Sequence, residues 1–201
     1  MFRFPVQLHQ ICGPISITVV ACLLFFAEDF IGAIFIYERP EIANWQLWRL
    51  ITGNLLHSNL NHLLLNLLGL VLLWALHGDY YTTRRYMFIF TCCAIATTLG
   101  LYLFNPGIYW YVGLSGALHG IFVWGAVVDI QHKLTSGWLL LLGVAIKIGY
   151  EQMYGASAVL AEWIAASVAT DAHLYGAVGG LMVGVLSIAM QSQNRQKQNG
   201  E

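Results

Sequence analysis

The chain is a succession of apolar runs joined by short polar links. Six runs are read at about residues 14–26, 60–76, 86–104, 115–130, 137–150 and 173–190, and between them they hold one acid, Asp129, and one base, Lys147. A spanning helix needs about 20 mostly apolar residues, and in lipid its backbone groups must be satisfied internally. The pattern therefore predicts an all-α, polytopic membrane protein with six transmembrane helices. Only 9% of the 201 residues are charged and 58% are hydrophobic, against about 25% and 45–50% in soluble domains. That excludes a soluble globule. The formal net charge of −1 and the lack of a basic patch exclude a nucleic-acid binder. Cys12, Cys22, Cys92 and Cys93 lie in or beside apolar runs and read as small hydrophobes.

One membrane domain over residues 1–191 is expected, followed by a polar, disordered tail over 192–201. No A-x-A site follows the first run, which reads as a retained anchor. Residues 27–57 carry Glu28, Asp29, Glu38, Arg39, Glu41 and Arg49 with Trp45 and Trp48, and read as an interfacial loop. With six spans, Arg3, Arg84, Arg85, Lys133, Arg195 and Lys197 fall on one side. Glu28, Asp29, Glu38, Glu41, Glu151, Glu162 and Asp171 fall on the other, with Arg39, Arg49 and Lys147. The positive-inside rule then places both termini in the cytoplasm.

Polar residues open three of the runs. His62 and Asn66 are four apart at the start of the second, as are Ser115 and His119 at the start of the fourth; His173 opens the sixth. Residues four apart share a helix face, and the predicted topology puts all three openings at one level on the non-cytoplasmic side. The fourth run, Ser115 to Ile130, is roughly 24 Å long as a helix, short of the ~30 Å core. Ser115 is therefore expected below the outer surface. Gly116 and Gly120 in the fourth run, and Gly176, Gly180 and Gly184 in the sixth, form small-residue stripes that let two helices approach closely. Packed on these stripes, Ser115 and His173 come within hydrogen-bond reach.

Such a pair suits acyl transfer. A neutral imidazole accepts the serine proton, and backbone N–H groups at a helix start stabilise an oxyanion. The Asn66 amide and the His62 ring N–H are further candidate donors to the oxyanion or substrate carbonyl, and Gly113 and Gly116 leave room for a peptide carbonyl. Asp171 reads as a cap or solvated acid, Asp129 as a structural hydrogen-bonding group, and His77 and His132 as interfacial. No cofactor is expected. No HExxH is present, and no metal site is assigned.

Trp48-Arg49, His57 with His62-xxx-Asn66, Gly113-x-Ser115-Gly116 and His173-xx-Gly176-xxx-Gly180 together resemble the rhomboid intramembrane serine proteases. The resemblance implies Ser115 as nucleophile and His173 as general base, a dyad without a required Asp. It implies His62 and Asn66 at the oxyanion and a structural His57. Many rhomboids carry Tyr where this chain has His119. The string Leu114-Ser115-Gly116-x-Leu118-His119-Gly120 resembles the bacterial rhombosortase subgroup. That likeness implies a multi-pass protein of the bacterial inner membrane with its site open to the periplasm. Its partners would be the bilayer and membrane-anchored substrates with C-terminal tails of Gly-Gly, one membrane helix and basic residues. The role of His119 is open among stacking on His173, binding a water and tuning the base. The oligomeric state is not set by the sequence. Two other classes are carried alongside: a rhomboid-like pseudoprotease acting as a binding or quality-control module, and a transporter or haem or metal protein using His62, His119 and His173.

Overall fold

The computed structural model describes the backbone of residues 4–199 and the side chains of residues 4–190. Arg3 and the side chains of Arg195 and Lys197, read above as cytoplasmic charges, lie outside them. The fold is all-α apart from two short strands. Its elements are α1 (Leu8–Phe26), α2 (Glu28–Phe35), β1 (Tyr37–Glu38), α3 (Arg39–Ala43), α4 (Arg49–Thr52), α5 (Leu60–His77), α6 (Thr83–Phe104), β2 (Trp110–Tyr111), α7 (Ser115–Gln131), α8 (Thr135–Tyr154), α9 (Ala158–Ile164) and α10 (Thr170–Asn199). Single 3-10 turns follow α4 at Gly53–Leu55 and α5 at Gly78–Tyr80.

Among the described residues, four helices are long and apolar enough to cross a membrane: α1, α5 with the turn after it, α6 and the 170–190 part of α10. Helices α7, of 17 residues, and α8, of 20, complete the bundle. Several ends differ from the sequence expectation, for local reasons. Helix α6 begins at Thr83 rather than 86 because the Thr82 hydroxyl caps it, accepting from the Arg85 N–H at 3.3 Å. Helix α8 outruns residue 150 and stops only at Gly155, whose φ is +77°. That brings Glu151 inside the helix, where the sequence reading had set it outside the membrane. Helix α10 starts at Thr170 and stays helical through Asn199, so residues 192–199 continue a helix instead of forming the expected disordered tail.

Helix α7 is the axle. From Gly116 to Asp129 nearly every position is buried, as an all-round apolar helix must be when neighbours surround it. It packs on α10, α6, α5 and α8. At two crossings with α10 only glycine fits: a Cβ on Gly176 would strike the Gly116 carbonyl, and one on Gly180 the Gly120 carbonyl. Elsewhere Ile17, Leu63, Leu70, Tyr81, Phe90 and Ile121 are among those forming the main apolar core.

The 27–57 insertion is ordered by carbonyl capture. Buried Arg49 donates to the Ile36 carbonyl at 2.6 Å, the Ala33 carbonyl at 2.8 Å and Gln46 Oε1 at 2.8 Å. Trp48 Nε1 donates to the Ile34 carbonyl at 3.0 Å. Arg39 donates to the Tyr102 carbonyl at 2.6 Å, at the C-terminal end of α6 where a cation is favoured. Strand β1 pairs antiparallel with β2, Tyr37 opposite Tyr111 and Glu38 opposite Trp110. The insertion is thereby tied to the loop that feeds α7.

Candidate active site

Ser115 is the first residue of α7. The preceding turn is held from both sides. The buried Tyr111 hydroxyl donates to the Gly113 carbonyl at 2.8 Å, and the Gly113 N–H donates to the Gly53 carbonyl at 3.3 Å. Gly113 has φ +119°, and a Cβ there would lie 2.6 Å from the His62 ring. Conformation and space both require glycine here.

His173 lies in the first turn of α10, 4% exposed. The structure brings the Ser115 Oγ and His173 Nε2 to 3.0 Å. On the other edge of the imidazole, Nδ1 lies 2.8 Å from Glu151 Oε2, and Lys147 Nζ lies 2.8 Å from the second oxygen, Oε1. A carboxylate only accepts, so His173 Nδ1 carries the hydrogen and Nε2 offers its lone pair to the serine hydroxyl. His119 stacks on His173 with ring centroids 4.2 Å apart and planes at 19°. Its Nδ1 donates to the Ser115 carbonyl at 2.7 Å.

Opposite the serine lie His62 and Asn66, both buried on α5. The Asn59 side chain caps α5, accepting from the His62 N–H at 2.8 Å. His62 Nδ1 lies 3.0 Å from Ser58 Oγ, which also reaches the Ile164 carbonyl at 2.5 Å. The Asn66 Nδ2 amide is buried and has no partner among the described residues. A native buried donor without an acceptor calls for an explanation, and this one lies across from Gly113. His57 is fully buried and meets His62 edge-on, ring centroids 5.1 Å apart.

Two cavities meet at this point, sharing His62, Ser115, Ile164 and Val168. One, of about 360 Å³, is lined by the 107–112 loop and residues 164–171. The other, of about 740 Å³, is a cleft between α5 and α8 lined by Leu65, Leu72, Leu76, Leu139 and Val144, and it reaches His119 and His173.

The remaining sequence candidates sort as follows. Gly116, Gly120, Gly176 and Gly180 lie at the α7–α10 contact, and Gly184 faces Val127. Asp171 is neither a free acid nor a partner of His173: it accepts from Asn105 Nδ2 at 2.6 Å. Asp129 accepts from the Tyr80 hydroxyl at 2.7 Å and lies 3.6 Å from His77. His77 is 1% exposed, packed beneath Gly125 rather than at an interface. The donor atoms of His119, Glu151 and His173 all lie within 4.8 Å of one another, close enough to consider a cation. Each is already bonded as described, so a cation would have to displace Lys147 or the Ser115 carbonyl contact. Glu151 and Lys147 are the site neighbours that the sequence reading missed. The signal was present: two opposite charges four residues apart at the end of an apolar run.

The chain matches the Rhomboid domain over residues 44–190. It is 29% identical to YdcA of Bacillus subtilis (strain 168) over 148 residues, 73% of this chain and 70% of that protein. It is 26% identical to rhomboid protease GlpG of Salmonella choleraesuis (strain SC-B67) over 192 residues, 90% of this chain and 65% of that protein. It is also 25% identical to rhomboid protease GluP of B. subtilis over 149 residues, but spans only 26% of it. The fold is that of a helical membrane enzyme. The chain belongs to the rhomboid family of intramembrane serine proteases.

Proposed function

We propose that Ser115 and His173 form the catalytic dyad of an intramembrane endopeptidase that trims C-terminal tails of exported proteins in the rhombosortase manner. The observation that carries the chemistry is the 3.0 Å separation of Ser115 Oγ and His173 Nε2 where the two cavities join.

As Ser115 Oγ bonds to the scissile carbonyl carbon, its proton passes to His173 Nε2. The oxyanion is received by the unpartnered Asn66 amide, by His62 and by N–H groups opening α7. The C–N bond then breaks, and His173 returns the proton to the departing amine. Water attacks the acyl-serine through the same base and restores Ser115. The apolar α5–α8 cleft supplies a route for a substrate helix, and the cavity beneath the 107–112 loop supplies one for water.

The six-span topology fits this chemistry, with both termini cytoplasmic and the site open to the periplasm of a bacterial inner membrane. Ser115 then lies below the outer surface. A Gly-Gly bond suits the site because a membrane helix must unwind to present a carbonyl, and glycine is among the residues least favourable to helix. The rhombosortase string around His119 points to tails of Gly-Gly, one helix and basic residues.

The test is a reporter with such a tail, co-expressed with wild type or Ser115→Ala. Wild type is expected to release a product whose mass ends at or beside the Gly-Gly, and Ser115→Ala none. Equal cleavage by both rejects the dyad. A cut elsewhere in the reporter rejects the rhombosortase substrate alone.

A further inference from the structure

Resting on the protease reading above, we propose that Glu151 is a positioning residue for the reaction, extending the pair to a Ser115–His173–Glu151 relay. Through His173 Nδ1 it holds the base in the tautomer that faces Ser115 and balances the charge the imidazole gains. Neither the composition of the site motifs nor the resemblance they carry contains this acid. It comes from α8, a helix that contributes none of those motifs.

Three observations carry the assignment. First, Glu151 Oε2 lies 2.8 Å from His173 Nδ1, while its other oxygen is bound by Lys147 at 2.8 Å. Second, Glu151 is 8% exposed. A carboxylate whose only task was an i,i+4 pair with Lys147 would turn with it toward the headgroups, where exposed pairs contribute little. Here the lysine side chain is 47% exposed and the glutamate 9%. The acid is turned inward against the imidazole, and burying it so is costly unless it is paired. Third, the acid nearest His173 in sequence, Asp171, is committed to Asn105. The groups facing His173 are thus Ser115 and His119 from α7, Glu151 with Lys147 behind it from α8, and His62 from α5. Only Glu151 is anionic.

The electron and proton accounts close without an added reactant. When Ser115 gives its proton to Nε2, His173 becomes a cation with a hydrogen on each nitrogen. The Nδ1 hydrogen stays on nitrogen, Glu151 stays ionised, and the pair is most favourable at the moment charge develops. Once Nε2 releases its proton to the leaving amine, His173 is neutral in its starting tautomer. Lys147 keeps the carboxylate charged through the cycle. This is the division of labour expected of a buried acid behind a catalytic histidine. His119, stacked on the ring, blocks the out-of-plane swing that would part Nε2 from the serine.

The experiment uses the protein in detergent micelles, a fluorophosphonate that phosphonylates reactive serines with loss of fluoride as the probe, and the tailed reporter for kcat and KM. Glu151→Gln keeps the size but removes the charge. It is expected to slow labelling and kcat at least 30-fold, with KM within twofold and the thermal midpoint close to wild type. Glu151→Asp, which restores the charge on a shorter arm, is expected to recover to within tenfold of wild type. Glu151→Gln within threefold of wild type overturns the relay, as does Glu151→Asp no faster than Glu151→Gln. If Glu151→Gln does not fold, Glu151→Asp decides alone: reduced kcat at constant KM supports the relay, and raised KM at constant kcat overturns it. Wild type that takes no label overturns the protease reading and the relay with it, whereas labelled wild type alongside equally labelled Glu151→Gln overturns only the relay.

Discussion

Gly176→Ala tests the packing that brings the serine and the histidine together. Gly176 is one turn beyond His173 on α10, and the Cβ it lacks would fall inside the contact distance of the Gly116 carbonyl, next to Ser115 on α7. Thr97 Oγ1 closes another side at 2.9 Å. Neither obstacle is the free end of a flexible chain, so the two helices must separate by about 1 Å or more to admit the methyl. Overpacking of this kind costs about 1–3 kcal/mol. The same shift stretches the 3.0 Å Ser115–His173 contact beyond hydrogen-bond range, and a misplacement of about 1 Å can cost 10²-fold in rate. The expected outcome is a lowered thermal midpoint in detergent together with about a 10²-fold loss of reporter cleavage and serine labelling. Gly149→Ala is the matched control: it sits on α8, outside the lining of both cavities, with nothing within 4 Å of its would-be Cβ, and it is expected to leave both readouts unchanged. Gly176→Ala with wild-type midpoint and cleavage within threefold of wild type would refute the reasoning.

Three further outcomes can be measured on the same preparations. Asn66→Ala removes the unpartnered buried amide opposite Gly113; as an oxyanion donor its loss lowers kcat by about 10²–10³ with little change in KM, and unchanged turnover removes Asn66 from the site. His57 lies outside the spans, and burial, then the neighbouring His62, push its pKa down from 6.5 to about 3. Between those values the unfolded chain binds a proton that the folded one refuses. Stability is therefore full above pH 6.5 and falls as pH drops, by up to about 1.4 kcal/mol per unit; His57→Gln is expected to flatten that acid slope, and an unaltered slope contradicts it. Arg49→Ala removes the buried guanidinium that donates to the Ala33 and Ile36 carbonyls, and hydrogen bonds to a charged group are worth about 1.5–3 kcal/mol each. A thermal midpoint equal to wild type would mean that the 27–57 insertion is not held by this guanidinium.

The parts of the site that were legible in the sequence are those where polarity is out of place. Ser115, His173, His62 and Asn66 interrupt apolar runs, and lipid makes such interruptions conspicuous. Their expected common level rested on the six-run topology, with helical spacing setting only which residues share a face. Glu151 was hidden because the end of α8 depends on Gly155 and its left-handed backbone, not on hydropathy; a run read as ending at Tyr150 leaves the next acid in solvent. The interior of residues 27–57 was equally opaque. Its stability comes from Arg49 and Arg39 finding carbonyls that no local pattern announces. His77 was misplaced for a related reason: the space that receives it is the bare flank of Gly125 on another helix, which becomes visible only when α5 and α7 are side by side.

The three groups of the proposed relay ride on supports of unequal firmness. Ser115 and His173 stand on α7 and α10, whose main chains touch at the glycine crossings, while Glu151 stands on α8, a helix with only Gly137, Val144, Ile148 and Glu151 buried. The wide cleft that reaches the serine is bounded by that same helix. Sliding α8 outward to let a transmembrane segment in would draw the carboxylate off the imidazole while leaving hydroxyl and imidazole in register. Admission and full reactivity would then alternate, and the enzyme would be at its strongest only after the wall has closed behind its guest.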